Sequence, residues 1–313
     1  MDWYRITLKL ASPTPSPWHA DTIFGHVCWA LAHTEGPTYM EIFLGLYGIG
    51  APPLVLSNGF PGDLLPSPLL LARRNDVDAG IAQARQAFRQ AKEARKAAWL
   101  SPEEFALARR GESFLPAAKH PFCNRTSMHN QINRLTGTTG PEGTLFSVAE
   151  TALAESGGGC ITVYALVDPG FAASLRRCLA YLVATGYGKR KSVGYGAIAA
   201  ATMESSPGFA PVEGENGFVS LSNFVPAAGD PITGAWNTLV KRGKLAEDYN
   251  TGGDPFKRPV IMLVAGSCFY DRPLRPFYGR LVPGVHHEFP EVVQYGLALP
   301  VGMRLPAPEE VWQ

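Results

Sequence analysis

Along the first sixty residues, apolar and polar positions change period twice. Residues 3–10 alternate as a strand does, residues 12–17 are broken by prolines, and residues 21–31 place Ile23, Phe24, Val27, Cys28 and Leu31 at helical spacing. Asp21 is the expected helix cap, and the Gly- and Pro-rich stretch 44–53 returns the chain to a strand at 54–57. This β-loop-α-β order is the first half of a ferredoxin-like unit. Residues 76–110 then shift to Ala, Gln, Glu, Lys and Arg, which are strong helix formers, and Ser101-Pro102-Glu103-Glu104 restarts a second helix; the pattern predicts an inserted helical hairpin. Residues 119–143 are polar and carry Arg125, His129, Asn130, Asn133 and Arg134, which predicts a long hairpin or loop standing away from the core.

A buried strand is expected at 160–167, a turn at Asp168-Pro169-Gly170, and an amphipathic helix at 171–184 bearing Arg176 and Arg177. A Gly-rich basic segment, 186–196, follows, and after it an Ala-rich strand through Met203. Residues 205–217 are poor in apolar side chains and mark a domain boundary, so the expected division is 1–204 and 205–313. Beyond it, strands at 218–224, 236–240, 260–269 and 292–299 predict a β-dominated second domain.

Composition narrows the partners. The 313 residues are 46% apolar and 18% charged, with a net charge of +1, so any polyanion site is a local basic patch. Cys28, Cys123, Cys160, Cys178 and Cys268 form no Cys-x-x-Cys pair and no disulfide framework, which points to a reducing, cytoplasmic setting. Neither a charged leader with an apolar stretch nor an apolar run of membrane-spanning length is present, so no membrane association is expected.

The candidate chemistry is that of binding. Four glycines, Gly188 among them as a contact candidate, with Lys189, Arg190, Lys191 and Ser192 offer close backbone approach and cations for phosphate. The segment lacks the P-loop order and follows a helix, which disfavours a nucleotide cofactor; none is expected. Tyr187 and Tyr195 are either base-stacking faces or packing groups. The polar stretch with Arg125, His129, Asn130 and Arg134 suits sugar and phosphate contacts or is an ordinary exposed loop. His19, His26 and His33 fall seven apart, about 10 Å per interval on a helix, too far to share a metal. His19 is kept as an RNA-contact candidate; packing or surface positions are expected for the other two. His286-His287-Glu288 lies where adjacent side chains diverge, so a structural role is expected. No hydrolase or polymerase motif is present.

The basic Gly-rich segment after the last helix of a ferredoxin-like unit resembles the RAMP superfamily of CRISPR proteins. Three further matches resemble the Cas5-like subunit of type III-A (Csm) complexes: His19-Ala20-Asp21-Thr22-Ile23-Phe24-Gly25-His26; Ile132-Asn133-Arg134-Leu135-Thr136-Gly137 with Leu145-Phe146; and the pair Ala265-Gly266-Ser267-Cys268-Phe269 and Val293-Gln294-Tyr295-Gly296-Leu297-Ala298. The resemblance implies an α+β chain of two tandem ferredoxin-like domains with a thumb at about 119–143. It implies a non-catalytic subunit that grips the 5′ tag of the crRNA and contacts a Cas10-type large subunit and a Cas7-like backbone subunit. Lys189, Arg190, Lys191 and Ser192 would then lie on tag phosphates, with His19, Arg125 and Arg134 as further contacts. The alternatives are a Cas6-type endoribonuclease using His19 or His26, or the equivalent subunit of a type III-B or III-D complex.

Overall fold

A computed structural model describes residues 1–69, 97–117, 119–139, 145–154, 157–245 and 254–307. The first unit is a four-stranded antiparallel sheet in the order β2-β7-β1-β8, formed by β1 (Asp2–Leu10), β2 (Leu54–Pro61), β7 (Cys160–Val167) and β8 (Ile198–Ser205). Helices α1 (Ala20–Thr34) and α4 (Ala172–Thr185) pack on each other and complete a βαββαβ chain path, the ferredoxin-like order expected from the apolar periodicity. The core between them holds Ile6, Leu8, Ile23, Val27, Leu31, Val163, Leu175 and Leu179.

Two local expectations are corrected here. Helix α1 starts at Ala20, with His19 at its cap position, and Asp21 lies inside the first turn. The first-turn donor at Ala20 is satisfied by Asn58 Oδ1 of β2 at 2.9 Å, so a cap arrives from across the fold. A second helix, α2 (Pro37–Gly48), occupies a stretch the sequence reading did not mark as helical; Pro37 at its first position pre-sets the entry, and Phe43 is buried in the core with Tyr39, Met40, Leu44 and Tyr47 packed around it.

Of the expected insertion, residues 76–96 lie outside the described residues. Its remainder is part of the core. The short β3 (Leu65–Pro66) and β4 (Trp99–Leu100) pair, and α3 (Pro102–Arg109) begins with a capping box in which Ser101 and Glu104 bond each other's backbone N–H. Leu100, Phe105 and Ala108 join the main core, and buried Arg109 donates to Gly302 O and Ala210 O, each at 2.7 Å.

The second unit, after β8, repeats the strand order without helices among the described residues. Strands β9 (Gly217–Ser220), β10 (Gly234–Ala235), β13 (Cys268–Tyr270) and β16 (Pro300–Met303) lie as β10-β13-β9-β16, all antiparallel. Numbered within each unit, both orders are 2-3-1-4. In the second unit the connections are loops and short pairs among the described residues: β11 (Thr238–Lys241) with β12 (Val260–Leu263), and β14 (Tyr278–Gly279) with β15 (Leu297–Ala298). The expected strand at 260–269 is divided into β12 and β13 by a turn at Gly266, φ +92°, while those at 236–240 and 292–299 are shorter than expected, reduced to β11, which starts at Thr238, and to β15 at Leu297–Ala298.

The two units share one core. Val219, Leu221, Tyr295, Leu297, Val301 and Met303 cluster with the first unit's apolar residues. A buried polar seam accompanies them: Tyr295 OH accepts from Leu56 N at 2.9 Å, Ser222 Oγ donates to Leu56 O at 2.6 Å, and Asn58 Nδ2 donates to Asn223 Oδ1 at 3.2 Å.

Candidate nucleic-acid interface

The Gly-rich segment forms a compact loop at the end of α4. Gly186 ends the helix at φ +78°, and Gly188, Arg190, Gly194 and Gly196 also take positive φ, Arg190 being the one non-glycine to do so among the described residues. A Cβ at Gly196 would lie 1.9 Å from Tyr187 O, and one at Gly188 would lie 2.5 Å from Ser16 Oγ. These two glycines are required by close approach as well as by conformation.

What the loop approaches is the Pro-rich stretch 12–17. Lys189 N donates to Ser16 Oγ at 2.8 Å, Gly196 N to Pro13 O at 2.8 Å, and Ala197 N to Ser12 Oγ at 2.8 Å. Tyr187 stacks on Trp18 with centroids 3.8 Å apart and its hydroxyl donates to Pro17 O at 2.7 Å. Fully buried, Tyr187 is a packing group with no face for a base. Gly188 N donates to His26 Nε2 at 2.9 Å, so His26 is an anchor of the loop; its expected packing or surface position is replaced by a specific role. His33 stacks on Trp29 and Tyr181. Held this way, the loop exposes Lys189, Arg190 and Ser192, with Lys191 half-buried in a 3₁₀ turn at Lys191–Val193.

The hairpin of β5 (Phe122–Asn130) and β6 (Leu145–Leu153) stands beside the loop, in register from Phe122↔Leu153 to Asn130↔Leu145. The expected thumb at 119–143 thus covers one arm and the tip, and the second arm is β6. Strand alternation divides its residues. Arg125, Ser127 and His129 share one face with Phe146 and Glu150, whereas Asn130 shares the other with Met128 and Leu145. The first face meets the loop: His129 Nε2 and Tyr195 OH are 2.6 Å apart, and the Arg190 guanidinium lies 5.0 Å over the Phe146 ring. Tyr195 is 8% exposed and buttresses the hairpin. Arg134 lies at the exposed tip, where Asn133 Oδ1 accepts from Leu135 N at 2.9 Å. The hairpin base is tied to the same Pro-rich stretch by reciprocal Thr14–Thr151 backbone bonds of 3.0 and 2.9 Å.

His19 lies on the far side of the α1 terminus. Its Nδ1 is 3.3 Å from Lys241 Nζ, which also reaches Asp21 Oδ2 at 3.0 Å and Thr22 Oγ1 at 3.2 Å. Burial and then the Lys241 ammonium pull the His19 pKa down to about 4, against the opposing pull of Asp21, so its ring is neutral at pH 7. His19 therefore brings no charge to a phosphate. Gln294 Nε2 donates to Asp21 Oδ2 at 2.8 Å. Lys257 Nζ donates to Val293 O at 2.7 Å, and burial lowers its pKa.

The other histidine cluster is structural. His286 is buried, donates through Nε2 to Asp254 O at 2.8 Å, and accepts at Nδ1 from Glu288 N and Phe289 N at 3.2 and 3.3 Å. All five cysteines are unpaired thiols. Among the described residues no group of three His, Cys, Asp or Glu side chains is placed to hold a metal, and no helix is long and apolar enough to cross a membrane.

The architecture that these parts define is two tandem ferredoxin-like units carrying a basic Gly-rich loop and a hairpin. That fold is shared with Csm4 chains of solved type III CRISPR assemblies. The chain is 19% identical to one in a Csm1-Csm4 cassette in complex with AMPPNP, at a TM-score of 0.63, covering 98% of this chain and 100% of that one. It is 13% identical to one in a Csm3-Csm4 subcomplex of the type III-A CRISPR-Cas interference complex, at a TM-score of 0.62, again covering 98% and 100%. No protein-family profile and no curated protein sequence matches the chain.

Proposed function

We propose that this protein is the crRNA-binding assembly subunit of a type III-A CRISPR effector complex, holding the repeat-derived 5′ tag and joining a Cas10-type large subunit to a Cas7-like backbone. The observation that carries this reading is the end-to-end likeness in fold to chains of both a Csm1-Csm4 and a Csm3-Csm4 assembly. The loop supports it: Lys189, Arg190 and Ser192 are presented to solvent on a backbone held by glycines and by Ser16 and His26. Cations neutralise phosphates, while the hairpin beside them sets where the strand leaves the loop. Arg125 and Arg134 extend the cationic track along the hairpin to its tip. The role is positional and needs no reaction. The histidines that a Cas6-type reading would use are engaged elsewhere, His26 Nε2 by Gly188 N–H and His19 Nδ1 by Lys241.

Equilibrium binding to a tag-bearing RNA and to a scrambled RNA, across a salt series, tests this. We expect preference for the tag. In Lys189→Ala/Arg190→Ala/Lys191→Ala we expect weaker binding, with the slope of log K against log salt reduced by about two, since each phosphate contact to a single strand contributes roughly 0.7. Equal binding of both RNAs with no effect of the triple variant would reject the reading. Co-purification with the large and backbone subunits checks the assembly role.

A further inference from the structure

The polar cluster at the start of α1 joins the second unit to the element that holds the loop. Lys241 comes from β11 and Gln294 from the segment before β15, and both converge on Asp21, whose side chain is 4% exposed. Lys241 contacts three side chains of the helix start: His19 Nδ1 at 3.3 Å, Asp21 Oδ1 at 3.2 Å and Thr22 Oγ1 at 3.2 Å. Lys257 backs the cluster through Val293 O at 2.7 Å and Gln294 Oε1 at 3.4 Å. Two turns along the same helix, His26 grips Gly188 N, and just before the helix Pro17 and Trp18 hold Tyr187.

We infer that Lys241 is a positioning residue for RNA binding: a latch by which the second unit fixes the register of α1, and through it the Gly-rich loop, without touching RNA itself. This rests on the RNA-binding reading above and adds to it a residue remote from the loop in sequence. The physical reason is geometric. A buried carboxylate with two donors from one unit holds its helix against rotation and sliding, and loop N–H groups anchored on that helix keep their spacing for phosphates. The side chain of Lys241 is 17% exposed, and its ammonium is engaged by His19, Asp21 and Thr22.

Two measurements on the full chain decide it. The first is amide exchange of the free protein at Gly188, with an amide of the β1–β7 ladder as control. The second is tag-RNA affinity across the salt series. In Lys241→Met we expect faster exchange at Gly188 with the ladder unchanged, and affinity lower by about tenfold at an unaltered salt slope, because no phosphate contact is lost. Lys241→Arg should recover most of the affinity. If the single variant does not fold, Asp21→Asn/Lys241→Met removes the pair without stranding a buried charge and is read the same way. A slope reduced by about 0.7 would make Lys241 a direct phosphate ligand and overturn the proposal. Unchanged exchange at Gly188 would overturn it as well. The exchange arm needs no RNA, so failure of the wild-type chain to bind the tag would count against the functional reading and leave the latch to be decided by exchange.

Discussion

Gly194 and Gly196 show how differently two glycines of one loop are constrained. Both have positive φ, +93° and +64°, but a Cβ at Gly194 meets nothing within 4 Å, while one at Gly196 collides with the Tyr187 backbone. Alanine at Gly194 should cost about 1–2 kcal/mol, the ordinary strain of a side chain in that region. Alanine at Gly196 adds a backbone clash and should cost more than about 3 kcal/mol or prevent folding. Urea denaturation midpoints of the two variants check this ordering. Residue identity alone marked this loop as a candidate polyanion site; it did not mark which glycines are obligatory, because that depends on what packs against them. Tyr187 makes the same point. Its place among glycines and cations suits stacking on a base, and contact with Trp18 turns it inward instead.

The β5–β6 hairpin is a two-stranded element, and such elements are marginal in water unless packed against something. Its base packs on the core through Phe122, which meets Trp99 edge-on, and Leu153, with the Thr14–Thr151 bridge beside them; farther out it is held by Tyr195 OH on His129 and Ser127 and by Arg190 over Phe146. Tyr195→Phe removes the hydroxyl that meets both His129 Nε2 and Ser127 Oγ, worth about 1–2 kcal/mol, and should speed amide exchange and proteolysis along the hairpin without lowering global stability by more than that amount. A hairpin equally protected in the variant would show that Tyr195 is not its buttress. The period-2 patterning did not reveal this element in full, since one strand face exposes Met128 and Leu145 and the tip exposes Ile132 and Leu135, which are apolar where solvent is expected. Helix α2 was hidden because Gly45, Gly48 and Gly50 with Pro52 and Pro53 read as a loop from 44 onward, although Tyr39, Met40, Phe43, Leu44 and Tyr47 face the core at helical spacing.

Across the molecule, the cluster around Asp21 ties stability to pH. The folded pKa of His19, about 4, lies below its usual 6.5, so the unfolded chain takes up the proton first. The stability that the neutral ring contributes is complete above pH 6.5 and is lost as pH falls toward 4. Thermal or urea unfolding between pH 7 and 4 should show this loss, and His19→Gln should show a shallower one over the same window. Because Lys241 and Asp21 belong to different units, the loss should loosen their junction rather than either sheet.

What the amino-acid order determined alone is the local and periodic: the strands of the first unit, its two main helices, the capping box at Ser101, and the concentration of glycine and cations at 186–196, because these follow from side-chain spacing over a few residues. The tertiary structure decided which residues meet across long separations. It made the Pro-rich stretch 12–17 the support shared by loop and hairpin, turned His26 from a packing residue into the anchor of Gly188, and favoured the neutral form of His19 by burying it and placing Lys241 against it. Positions 222 residues apart, such as His19 and Lys241, share no local signal; only closure of the second unit onto α1 brings them together.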